Sequence, residues 1–159
     1  LVGSATARGE GYGPPSTPGQ RIGVVTNRGT VDTSTPLFES GAGFIITTER
    51  AEFDARGVDV LRCGTEQVNI TQALDELADV CGDVRFVQAE GGATFNGVLA
   101  AADVIAELNV SWSPAMVGGD GVRLSAGAPD LGRRFELAQL AVDADSFVFS
   151  RWRRRRTSP

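Results

Sequence analysis

The chain has 159 residues, a formal net charge of −5 and 42% hydrophobic residues, enough for one globular domain with a buried core. It contains no histidine and no lysine; all 15 basic residues are arginine. That composition excludes His-based zinc centres, His-dependent catalytic triads, Schiff-base lysines and P-loop lysines. No apolar run approaches the roughly 18 residues a membrane helix needs. The opening LVGSATARGEGYGPP has neither the basic start nor the apolar stretch of a secretory signal. Cys63 and Cys81 have no metal-like spacing, so they are expected to be free, inert thiols in a reducing cytoplasm.

In chain order, Leu1-Val2-Gly3 reads as the end of a strand, and Ser4 to Pro18 as a Gly/Pro/Ser/Thr-rich loop. Arg21 to Thr26 is a short strand, followed by a turn at Asn27-Arg28-Gly29. Thr33 to Phe38 is a loop whose Leu37 and Phe38 plug a core edge. Gly43 to Thr48 is a continuous apolar run of the buried parallel type. Glu49 to Arg56 is expected to be a short helix stopped at Gly57, and Val58 to Arg62 a strand. Asn69 opens a helix that ends near Gly82.

Val84 to Ala102 is the most informative stretch. Val84, Phe86 and Val87 suit a buried strand, Glu90-Gly91-Gly92 ends it, and Phe95, Val98, Leu99 and Ala102 recur at helical spacing. Thr94 or Asn96 is expected to cap that helix. Glycines at a strand–helix junction let a ligand approach the backbone, and the free N–H groups of a helix start favour a phosphate. The plainer alternative is a sharp turn with no ligand.

Glu90 stands at the strand mouth, where ligands of α/β sheets bind, or is a solvated edge charge. Leu108 to Ser113 alternates like a strand with one covered face, which places Trp112 in the core. Met116 to Gly121 is a glycine-rich loop, so Asp120 reads as turn chemistry. Phe135 to Val142 and Asp145 to Arg151 are closing antiparallel strands around Asp143-Ala144. The pattern predicts one α/β domain over residues 1–150 with an antiparallel edge. The Arg-rich tail at 151–159 is expected to be solvated or paired with acidic loops. The acidic body argues against nucleic acid as its partner.

Four stretches together resemble one family. Glu90-Gly91-Gly92-Ala93-Thr94-Phe95-Asn96-Gly97 is similar to the EGGPTLNG-type segment of the reductase domain of riboflavin biosynthesis. Ala101 to Leu108 resembles its "aadLvDEL" stretch, Ser113-Pro114 with Val117-Gly118-Gly119 its "SP…lvGG" segment, and Val2 to Arg8 its "vGagTvR". Ala93 replaces the frequent proline, Ala106 the aspartate of "DEL", and Glu10 an aspartate near the cofactor. Members normally begin with a further strand and helix, so the domain is expected to be N-terminally incomplete. Its exposed edges would then call for partner strands or a dimer.

The resemblance implies a dihydrofolate-reductase-like fold: a mixed sheet, mostly parallel, with an antiparallel C-terminal edge and helices on both faces. It implies NADPH as cofactor and reduction of the ribose of a phosphoribosylamino-pyrimidine. Gly91, Gly92, Ala93, Thr94, Phe95 and Asn96 would hold the NADPH phosphates, Thr6 and Thr26 would line the cleft with Glu10 nearby, and Glu90 would contact the substrate. Arg8 and Arg21 are candidates for a phosphate. No catalytic general acid is assigned, because there is no His or Lys to serve; Glu90, water and the substrate are the alternatives. The rival readings are a reductase of a pterin or another carbonyl, and a non-catalytic nucleotide-binding module. A homodimer is expected, with Phe147-Val148-Phe149 a suitable surface.

Overall fold

The computed structural model describes residues 1–121, 123–130 and 132–155. Four parallel strands lie in chain order: β1 (Val2–Gly3), β2 (Ile22–Val25), β3 (Gly43–Thr47) and β4 (Val60–Arg62). β3 is buried at every residue, its apolar Gly43–Ile46 run as expected and its closing Thr47 with it. Its alternation splits the core in two. Phe44 and Ile46 face Leu61, Ile70, Leu77, Phe95 and Leu99; Ile45 faces Val2, Val24, Leu37 and Phe38.

Helices therefore cover both faces. α3 (Ile70–Asp75), α4 (Leu77–Cys81) and α5 (Ala93–Ala101) serve the first. α2 (Pro36–Glu39) serves the second, with Ala7 of α1 (Ser4–Glu10) packed against it.

Asn69 caps α3, its side chain accepting from the Gln72 N–H at 3.2 Å. Local expectations fail where a side chain or a turn competes. Ser4–Glu10 is helical rather than loop, closed by left-handed Gly11; no residue of it is buried, so no apolar period marks it. Glu49 to Arg56 is not a helix. The Arg62 guanidinium takes the carbonyls of Thr48 (2.9 Å) and Ala51 (2.8 Å), and Arg56 is left-handed at φ 48°. The expected single helix from Asn69 breaks at Glu76, where φ −93° and ψ 2° separate α3 from α4.

Val84 to Val87 forms no strand, and Phe86 is 82% exposed. Pairing begins later: Glu90 N–H donates to Leu1 O at 2.9 Å and Gly3 N–H to Gly91 O at 2.7 Å. A segment with a neighbour on one side only has no sheet to bury its apolar residues.

The remaining strands form a second, antiparallel sheet in the order β5 (Glu107–Trp112), β7 (Val148–Arg154), β6 (Phe135–Val142). The antiparallel part is thus a separate sheet among the described residues rather than the edge of the first. Asp143 builds the β6–β7 turn, its Oδ1 accepting from the N–H groups of Asp145 and Phe147, so β7 starts later than expected.

Register places Leu108, Trp152 and Leu137 in one cross-strand row, then Val110, Ser150 and Leu140, then Trp112, Val148 and Val142. The opposite face carries Glu107, Arg153 and Glu136, then Asn109, Arg151 and Gln139. Trp112, expected in the core, is 59% exposed because nothing covers its face among the described residues.

The arginine run enters β7 and is met by carboxylates. Arg151 and Arg153 share Glu107 at 2.5 and 3.3 Å, Arg154 and Arg133 share Asp103 at 2.6 and 3.2 Å, and Arg155 meets Glu136 at 3.1 Å. Arg156 lies outside the described residues. The Arg151 hydrogen bond holds the Glu107 carboxyl below its ordinary 4.5, and the Arg154 hydrogen bond holds Asp103 below 3.8. Depressed carboxylates stabilise the fold fully above those ordinary values, and the contribution is lost as pH falls through the lower folded values. Thermal stability is expected to decline modestly as pH falls below about 4.5, and Glu107→Gln to lessen that acid loss. Identical acid limbs in both proteins would refute the assignment.

Candidate functional site

The glycine junction lies at the carboxyl ends of β1 and the neighbouring Gln88–Gly91 segment. Gly92 is the N-cap of α5, and no side chain caps the helix; neither Thr94 nor Asn96 does so. Both lie inside the helix, past the point where a cap acts. The first N–H groups of α5 therefore keep their partial positive charge for a ligand. The Gly91–Gly92 peptide is cis, and Gly91 has φ 85°.

The backbone is closely approached at three glycines here, and only at Gly97 is the neighbour a rigid backbone group in overlap. A Cβ on Gly92 would come within 2.8 Å of Thr6 Oγ1, and one on Gly3 within 3.3 Å of Phe95 Cβ. A Cβ on Gly97 would overlap the Ala126 carbonyl, because the Leu124–Ala128 segment crosses α5. That strap is fastened by Ala126 N–H to Ala93 O at 3.0 Å and by Asn96 Nδ2 to Leu124 O at 2.8 Å.

The structure places Thr6 beside the consecutive Gly91, Gly92, Ala93, Thr94, Phe95 and Asn96. Their contributions differ. Thr94 is exposed and Thr6 half-buried, both able to face a ligand, whereas Phe95 is 6% exposed and gives its ring to the core. The Asn96 amide is spent on the strap. Thr26 lies one strand away, following Val25, the register partner of Gly3. It is buried, and its Oγ1 accepts the Arg28 N–H at 3.4 Å.

Glu90 sits exposed beside the junction but is not free. Tyr12 Oη donates to its Oε2 at 2.5 Å, and Gln88 Nε2 to its Oε1 at 3.0 Å. Burial, followed by the Glu90 hydrogen bond, pushes the Tyr12 phenol above its ordinary value of 10, with Glu10 adding to the shift. Tyr12 therefore stays a protonated donor through the neutral range. The sequence reading missed it. Its signal was its singularity, the one tyrosine of the chain inside a glycine- and proline-rich loop.

Arg21 is excluded as a phosphate ligand at this site. It precedes β2, at the opposite end of the strands, where it donates to Val80 O at 2.7 Å, pairs with Asp59 at 2.8 Å and stacks over Phe44. Arg8 stays at the correct end, exposed, reaching Thr30 O at 3.3 Å. Burial raises both thiols, Cys63 to about 11, so they stay protonated and unreactive at neutral pH. No helix of the described residues is long and apolar enough to cross a membrane.

Comparison with known proteins agrees with this architecture. The model of the RibD C-terminal domain matches residues 1–149. No curated protein matches. Among solved structures, a pyrimidine reductase-like protein from Corynebacterium diphtheriae superposes with a TM-score of 0.80 at 20% identity, over 98% of this chain and 75% of that one. Acinetobacter baumannii RibD gives 0.74 at 15% identity, over 98% of this chain and 46% of that one. The riboflavin biosynthesis reductase of Saccharomyces cerevisiae gives 0.64 at 17% identity, over 86% and 70%. At these identities the structures share the fold, while the family match spans nearly the whole sequence: the chain belongs to the RibD C-terminal domain family, the reductase domain of riboflavin biosynthesis.

Proposed function

We propose that this chain is an NADPH-dependent reductase that converts the ribosyl group of a phosphoribosylamino-pyrimidine to a ribityl chain. One observation carries the reading: the uncapped N-terminus of α5 at a junction where glycine backbone approaches Thr6 with no side chain between. That cradle suits the pyrophosphate of a dinucleotide, whose charge α5 would balance with its free N–H groups. Thr6 and Thr94 offer hydroxyls to it, and Arg8 a cation at the same end of the sheet. Bound there, NADPH would supply the hydride.

The chain's own work is to hold and orient. Glu90, fixed by Tyr12 and Gln88, presents a positioned carboxylate beside the cradle for the sugar or the pyrimidine. Its two hydrogen bonds keep it from swinging away.

Calorimetric titration with NADPH, with NADH as control, tests the cofactor. Absorbance-followed oxidation of NADPH with the pyrimidine substrate tests the reaction. Saturable binding without turnover on any carbonyl substrate would favour a nucleotide-binding module instead.

Glu90→Gln keeps a side chain of the same shape, able to accept from Tyr12, and removes the charge. It is expected to leave NADPH affinity within about twofold and lower turnover on the order of tenfold. A collapse of cofactor binding in that variant would move Glu90 to the cofactor side.

A further inference from the structure

We propose that Tyr12 is the proton donor of the reduction: its phenol gives the sugar ring oxygen O4′ the proton it needs as the C1′–O4′ bond breaks. This role rests on the reductase function proposed above and fills the one place that function leaves open, the general acid.

The chain fixes a single hydroxyl beside the carboxylate that faces the sugar. Gly11, left-handed at φ 62°, ends α1 and turns the chain into Tyr12. The Tyr12 ring packs against the core cluster of Val2, Val24, Leu37, Phe38 and Ile45. A ring anchored in that way gives its hydroxyl a set position, and the hydroxyl meets Glu90 Oε2 at 2.5 Å. Gln88 Nε2 fills the other carboxylate oxygen at 3.0 Å. Both oxygens of Glu90 therefore accept, and the phenol carries the transferable proton of the group. A sugar seated on Glu90 lies within reach of that phenol. The other acids of the chain are elsewhere or absent. There is no histidine and no lysine. Cys63 is buried in the larger core cluster, and Cys81 lies with Arg21 at the far end of the strands.

The step balances. As C1′ gains the hydride, which NADPH supplies in becoming NADP, the electron pair of the C1′–O4′ bond passes to O4′. O4′ takes the Tyr12 proton and becomes a hydroxyl of the ribityl chain. The phenolate regains a proton from solvent, which reaches it because Glu90 is exposed beside it. The charged groups that face the phenol are Glu90 and Glu10. Burial first, then these carboxylates, raise the phenol above its ordinary 10, towards the basicity of a sugar alkoxide. The proton therefore stays on Tyr12 at neutral pH and crosses only as O4′ develops charge.

Tyr12 is the one tyrosine of the chain, so incorporation of a ring-fluorinated tyrosine labels this position alone. Its single fluorine resonance is expected to shift when the phosphoribosylamino-pyrimidine is added with NADP, a mixture that cannot turn over. A resonance unmoved at saturation overturns the contact with substrate. In single turnovers, Tyr12→Phe, which keeps the packed ring, is expected to slow NADPH oxidation roughly a hundredfold or more and to leave NADPH affinity within about twofold. Small weak acids such as imidazolium are expected to restore part of that rate. Fluorotyrosines of increasing acidity are expected to move the alkaline limb of the rate to lower pH, in step with the phenolate absorbance of the same proteins. A Tyr12→Phe rate within about twofold of the parent overturns the proposal. A slow variant that no weak acid restores, with an alkaline limb that fluorination leaves in place, assigns Tyr12 to holding Glu90 and overturns the donor role. Absence of NADPH oxidation by the unaltered protein would instead overturn the reductase function, and the donor role with it.

Discussion

Gly92→Val is expected to lower NADPH affinity by roughly tenfold or more while the parallel core stays folded. Gly92 has φ −69° and ψ −167°, an extended conformation open to valine, so the backbone gives no reason for collapse. The new Cβ would meet Thr6 Oγ1 at 2.8 Å, a contact that a rotation of the threonine side chain can relieve. The valine methyls would then occupy the approach to the uncapped N-terminus of α5. A β-branched residue at an N-cap costs the helix about 1 kcal/mol, a small part of a domain's stability. Calorimetry with NADPH and a thermal melt separate the two effects. A folded variant with unchanged affinity would show that the cofactor phosphates do not lie at this junction.

Phe44→Ala is expected to act the other way, costing about 3–5 kcal/mol of stability and lowering the melting temperature by roughly 10 °C or more. Phe44 is 1% exposed at the centre of the larger core cluster. Gly23 on the adjacent strand leaves room for its ring; a Cβ there would lie 2.5 Å from Cζ. The Arg21 guanidinium lies over the ring, 5.4 Å from the centroid. Truncation would open a cavity and strip the arginine of its platform. Phe44 sits at the start of β3, away from the carboxyl ends that form the cradle, so the folded fraction should bind NADPH as before. Denaturant melts check the first expectation and calorimetry the second. A loss below about 1 kcal/mol would mean the site collapses around the missing ring.

These variants probe the two parts of the chain that were most legible without a structure. β3 could be read because a strand buried on both faces must be mainly apolar, as Gly43 to Ile46 are. The glycine junction could be read because Gly91 takes the left-handed φ of 85° that side chains disfavour, and Gly92 beside it lies close to Thr6, which leaves a visible pair of glycines. Tyr12 was not legible: its partner Glu90 is 78 residues away, and no local pattern announces such a pairing. The Glu49–Arg56 helix failed for a related reason. Its propensity was acceptable, but Arg62, remote in sequence, took the carbonyls that a helix would have used.

By itself, then, the amino-acid sequence determined the buried parallel strands, the Asn69 cap, the glycine turn ahead of α5 and the family. Each depends on local chemistry or on motif spacing along the chain. Tertiary structure alone decided that Arg21 faces away from the cradle, that Glu90 is pinned by Tyr12, and that Trp112 is exposed. Those outcomes depend on which strand ends adjoin, on a side-chain pair 78 residues apart, and on whether anything lies over the Trp112 face of the second sheet. Such relations join residues far apart in the chain, and no periodicity encodes them.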